Sequence, residues 1–164
     1  ISIAPLIHGG GQERGLRPGT EDVAGAVGFA AAIKLAIEEQ EPEAIRLKTL
    51  RNRMEWALSK KIVGLRINGG EWARAPHILS MGIPDIEDGN ELLMALDLEG
   101  VAISSGSACS SGARKSSHVM AALYGPDDPH ANVRFSFGHQ TTDQDVDQAV
   151  SVTIEVVARL RRAT

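Results

Sequence analysis

Three stretches of this chain carry apolar residues at helical spacing, and only short runs of strand character lie between them. That alternation constrains the fold more than any other feature. Val23, Val27 and Ala30-Ala31 mark the first helix, which reaches to about Glu41. Ile45, Leu47, Leu50, Met54 and Leu58 mark the second, to about Ile62, with Gly64 ending it. Pro42 lies between them, where it either kinks one helix or opens the next. The third covers 143–162, with Asp143, Asp145 and Asp147 near its start and Arg159, Arg161 and Arg162 near its end. Both charge biases suit the helix dipole. Strand candidates fall at 65–68, 76–83, 101–103 and 132–137; in the last, Val133, Phe135 and Phe137 alternate with Arg134 and Ser136. Shorter helices are expected from about Asn90 to Leu98 and from Ser116 to about Leu123. The expected class is α/β, a small sheet of three or four strands packed with helices.

A chain of 164 residues, 43% hydrophobic, is long enough to bury a core. Its net charge of −4 supplies no basic face for nucleic acid. No apolar run approaches the ~20 residues that span a bilayer, so no membrane role is expected. The single cysteine rules out an internal disulfide and fits a reducing, cytoplasmic setting. The opening ISIAP reads like the end of a strand or loop entered from upstream, so the chain is expected to be a piece of a longer protein.

Three places carry candidate chemistry. Cys109 lies in SSGSACSSG at 104–112, among serines, glycines and one alanine that cannot bury it. Free cysteine is usually buried, so it is out of place there as a packing residue. At an ordinary pKa only ~3% of such a thiol is thiolate at neutral pH. Arg114, Lys115 and the following helix start would raise that fraction. On the loop alone, a reactive thiol and an incidental surface thiol are equally good readings. With so few apolar anchors, 104–114 is expected to be mobile and Cys109 accessible. Second, HGGGQERGLRPGT at 8–20 joins a glycine-rich loop to a helix start, with Thr20 as a candidate N-cap and Arg14 and Arg17 adding charge. Such a junction suits a phosphate; a capped turn with solvated arginines is the plainer alternative. Third, Arg134 lies on the strand face opposite Val133 and Phe135. Either it is a solvent-facing strand residue or it clamps a carboxylate. Of the remaining side chains, His77 reads as packing or capping, His118 and His130 as surface, and His139 as near a cleft. Trp56 reads as core and Trp72 as surface. No spacing of histidine, cysteine or carboxylate resembles a metal site.

Taken together, HGGGQERGLRPGT, SSGSACSSG and VRFSFG followed by a Thr-Thr-acid helix start resemble the cysteine desulfurases, in order and in rough spacing. The long serine-rich cysteine loop is similar to that of the nitrogen-fixation and iron–sulfur-assembly branch. The resemblance covers nearly the whole chain. It implies the C-terminal part of an aminotransferase class V fold, a pyridoxal-phosphate-dependent transferase that works as a homodimer. Residues 1–41 would then be a remnant of the large cofactor domain plus a connecting helix, and 42–164 the small domain carrying the cysteine loop. It implies that Cys109 takes sulfur from L-cysteine as a persulfide, with release of L-alanine. An iron–sulfur scaffold or another sulfur acceptor protein then receives that sulfur. It implies further that Arg134 binds the substrate carboxylate. Thr20 would bind the cofactor phosphate of the neighbouring subunit, with His8, Arg17 and Gly19 shaping that shared site.

In such enzymes the cofactor lysine precedes the HGGG motif, with the stacking histidine and ring-nitrogen aspartate also upstream. The five lysines here (Lys34, Lys48, Lys60, Lys61, Lys115) do not match that position. The chain alone is therefore expected to lack turnover. Asp22 departs from the asparagine common in relatives. Two other readings remain: a non-catalytic module that docks a scaffold, and a cofactor-free thiol sulfur carrier.

Overall fold

The computed structural model describes residues 3–86, 89–104 and 117–163. The chain divides into two compact units, Ile1–Glu41 and Pro42–Thr164. In the first, a single 3-10 turn (Gln12–Gly15) follows the glycine run. Helix α1 (Val23–Lys61) then begins, and it contains Pro42. Two helices were expected here; one is found. Proline removes a single amide donor, and the glutamates and glutamine around Pro42 are good helix formers. The expected cap is also corrected. The Asp22 carboxylate, not the Thr20 hydroxyl, accepts from the Gly25 amide at 2.8 Å, because the helix starts at Val23 and Asp22 stands at its threshold.

The second unit is built on a three-stranded antiparallel sheet of order β1 (Arg66–Ile67), β2 (Ile78–Ile83) and β3 (Ala131–Ser136). The strand expected at 101–103 does not form. The next residue, Ser104, forms one isolated bridge with Arg134. After Gly100 the chain turns with φ +81°, and three residues are too few to lay a ladder along β3 before the serine loop.

Alternation decides what each sheet face does. Leu79, Met81, Val133 and Phe135 point into the core with Ile83. The later part of α1 adds Leu47, Leu50, Met54 and Leu58, and α2 (Gly89–Leu98) adds Leu92 and Leu96. Helix α4 (Asp143–Ala163) closes the layer with Val146, Val156 and Val157. Each such side chain, fully buried, contributes about 1.5–3 kcal/mol. Trp56, expected in the core, is 66% exposed instead: it falls on the helix face turned from Met54 and Leu58. Helix α3 (His118–Tyr124) lies over the other, polar sheet face, with the Tyr124 ring 3.5 Å from the Arg66 guanidinium.

Candidate functional site

In the pair β2–β3, Ser80 stands directly opposite Arg134. The two side chains therefore share the polar face. The Arg134 main chain bonds Ser104 in both directions, its amide donating at 2.7 Å and its carbonyl accepting at 3.1 Å. Those bonds tie β3 to the start of the serine loop. The Arg134 side chain reaches Ser104 Oγ only at 3.4 Å through Nη2. Its Nε is buried and has no hydrogen-bond partner among the described residues. A buried guanidinium donor without an acceptor is costly, and a carboxylate is the acceptor its planar fork suits. Beside it, a pocket of about 170 Å³ opens between sheet and helix, lined by Ser80, Asn132 and Arg134 on one side and by Ser117, Val119 and Met120 on the other.

Below this pocket the polar face is laced by a closed network. Arg66 pairs through both terminal nitrogens with Asp128, at 2.9 and 2.6 Å. Asp128 is 2% exposed as a side chain. The hydrogen bonds from Arg66, with lesser help from Asn132 and His130, hold its carboxyl far below the usual carboxylate range against the opposing effect of burial. His130, expected at the surface, places Nδ1 2.9 Å from Asp128 because the turn before β3 folds back onto that carboxylate. Asn132 donates to Asp128 at 3.0 Å, and Asn68 donates to Asn132 at 2.9 Å and to Ser80 at 3.1 Å. Apart from His130, which it reads as surface, the sequence reading assigns no role to these residues. The available signal is a polar residue at alternate positions of an apolar strand, Ser80 in ILSMGI and Asn132 two before Arg134.

In the first unit His8, Arg17, Gly19 and Thr20 fall on one loop. Gly19 has φ +112°, a conformation that side chains rarely adopt, and its amide donates to Gln12 Oε1 at 3.3 Å. Arg17 Nη1 contacts the Pro18 carbonyl at 3.4 Å. Thr20 is exposed, and its hydroxyl has no partner among the described residues. A hydroxyl and a guanidinium on a glycine-turned loop are donors suited to a phosphate. Arg134 lies in the other unit. Cys109, its expected mobile loop and the helix start at Ser116 lie outside the described residues. Among the described residues, no cluster of histidine, cysteine or carboxylate could hold a metal, and no helix is long and apolar enough to cross a membrane.

Comparison with known proteins assigns the family. The aminotransferase class-V model matches residues 7–149, and the chain belongs to that family. It is 41% identical over 160 residues to the cysteine desulfurase IscS of Dictyoglomus turgidum, covering 97% of this chain and 40% of that relative. It is 42% identical to the IscS of Klebsiella pneumoniae, covering 98% of this chain and 39% of that relative. Among solved structures, the NifS-like protein of Rickettsia africae superposes with a TM-score of 0.76 at 30% identity, covering 96% of this chain and 41% of that one. The chain thus spans about two-fifths of the length of the curated relatives it matches.

Proposed function

We propose that this chain serves a cysteine desulfurase, a homodimeric, cytoplasmic enzyme. In it Cys109 takes sulfur from L-cysteine as a persulfide, L-alanine leaves, and the sulfur passes to an iron–sulfur scaffold or another acceptor protein. The observation that carries this reading is Arg134: a buried guanidinium nitrogen without a partner, beside a pocket, on a strand bonded to the segment that leads into the cysteine loop. The names of the relatives agree with it.

Arg134 binds and orients the substrate carboxylate. Cys109, as the thiolate, attacks the substrate sulfur: the new S–S bond forms, the substrate Cβ–S bond breaks, and its electron pair stays on carbon, where a proton completes alanine. Pyridoxal phosphate, when bound, supplies an electron sink for charge developing on the substrate carbons. Thr20 and Arg17 donate to its phosphate, Gly19 keeps that loop turned toward it, and His8 opens the same loop, in a site shared with the neighbouring subunit. Residues 1–41 then belong to a larger cofactor domain, and 42–164 form the small domain.

In the full-length protein, Arg134→Ala should raise the KM for L-cysteine at least tenfold, since a hydrogen bond to a charged group is worth about 1.5–3 kcal/mol. An unchanged KM and kcat would make Arg134 an ordinary strand residue. Cys109→Ser should abolish persulfide formation, read by thiol-blocking mass spectrometry, and leave fold and cofactor colour unaltered. Persulfide formed on that variant would place the nucleophile elsewhere.

A further inference from the structure

We infer that Ser80 is a second carboxylate-binding residue of the Arg134 pocket, and that Asn68, Asn132, Asp128 and Arg66 are the positioning residues that aim its hydroxyl. The inference rests on the proposed reading of Arg134 as the carboxylate clamp.

Directly opposed residues of an antiparallel pair hold their Cβ atoms about 4.5–5.5 Å apart. Ser80 and Arg134 are such a pair, and both line the same pocket. The direction of the Ser80 proton follows from the network behind it. Arg66 has only donors, and its Nε lies 3.2 Å from Asn68 Oδ1. That contact fixes the Asn68 amide with its oxygen toward Arg66 and its nitrogen toward Ser80 and Asn132. Both protons of Asn68 Nδ2 are then committed, one to Ser80 Oγ at 3.1 Å and one to Asn132 Oδ1 at 2.9 Å. Asn132 is fixed in turn, since its Nδ2 donates to Asp128 Oδ2 and to the His130 carbonyl, each at 3.0 Å. Ser80 Oγ therefore accepts from the network, and its own proton has no acceptor among the described residues. The pocket is the direction left to it. A carboxylate has two oxygens, with room for a guanidinium on one and a hydroxyl on the other. Arg66 is itself held, paired through both terminal nitrogens with Asp128 and stacked on the Tyr124 ring, so the line from Asp128 to Ser80 has a fixed anchor.

The experiment titrates full-length protein calorimetrically with 3-mercaptopropionate, which carries the carboxylate and thiol without the amine, and with its methyl ester, which lacks the charge. Ser80→Ala should weaken binding of the acid about tenfold, the lower end for a hydrogen bond to a charged group, and leave the ester unchanged. Ser80→Thr, which keeps the hydroxyl, should restore the acid. Arg134→Ala should lose the acid altogether. Acid binding unchanged in Ser80→Ala but lost in Arg134→Ala overturns the Ser80 assignment and leaves the Arg134 reading intact. Equal weakening of acid and ester, or no restoration by threonine, overturns it as well, since the change is then one of packing. Wild-type binding of the acid by Arg134→Ala sinks the clamp itself and Ser80 with it.

Discussion

At Asp128 one side chain joins three roles: it closes the turn before β3, pairs with Arg66 and ends the line that reaches Ser80. Its carboxyl is held below its ordinary value of 3.8, chiefly by the Arg66 hydrogen bonds. The stabilisation is fully present above 3.8 and is lost as pH falls below it, through the lower folded-state pKa. Asp128→Asn should therefore cost about 2 kcal/mol at neutral pH, where Arg66, 24% exposed as a side chain, is left short of an acceptor. The gap between variant and wild type should narrow in acid. Denaturant midpoints at neutral pH and below 3.8 check this. A gap that is constant with pH would mean that the carboxylate charge contributes nothing.

Among the elements, α4 starts from a reciprocal cap that the Thr-Thr-acid pattern foreshadows. The Thr142 amide donates to Asp145 Oδ2 at 2.8 Å, and the Asp145 amide donates back to Thr142 Oγ1 at 3.2 Å. This satisfies donors that a helix start otherwise leaves open. The Thr142 amide and hydroxyl keep the Asp145 carboxyl below its usual range, so the cap weakens as acid protonates it. Thr142→Ala should lower stability by about 1 kcal/mol. Chemical denaturation measures it, and Thr142→Ser should recover most of the loss. Upstream of the cap, Arg46 donates to the carbonyls of Thr141, Gly138 and His139, at 2.6, 3.0 and 3.0 Å, and so holds the exit of β3. Only the fold brings those partners together.

For the molecule as a whole, every residue of the hydrophobic core falls in the second unit, between Leu47 and Val157. In the first unit Pro18 is the only buried residue among those described. Few buried contacts leave backbone hydrogen bonds open to exchange. Deuterium exchange of this chain should find slow amides in β2, β3 and the part of α1 around Met54 and Leu58, and fast ones at 23–41. Equal protection on both sides of Pro42 would contradict that division. Leu58→Ala, at a fully buried position, should cost about 2–5 kcal/mol and shift the exchange of the second unit as one body.

Period and spacing were enough to determine the α/β class of fold, the helix at 143–162, and the strands expected at 76–83 and 132–137, which form over Ile78–Ile83 and Ala131–Ser136. These depend on local preference and on which residues must leave water, and both are written along the chain. Tertiary structure decided the rest. Whether 101–103 becomes a strand depends on a partner, and only a bridge at Ser104 was available. Trp56 and Leu58 lie on one helix, but packing alone chose which of them is buried. The register sets Arg134 opposite Ser80 and leaves its Nε buried and without a partner among the described residues, a placement that period alone does not give. Pairing across strands joins residues dozens of positions apart, and no local pattern encodes which hydroxyl will face which guanidinium.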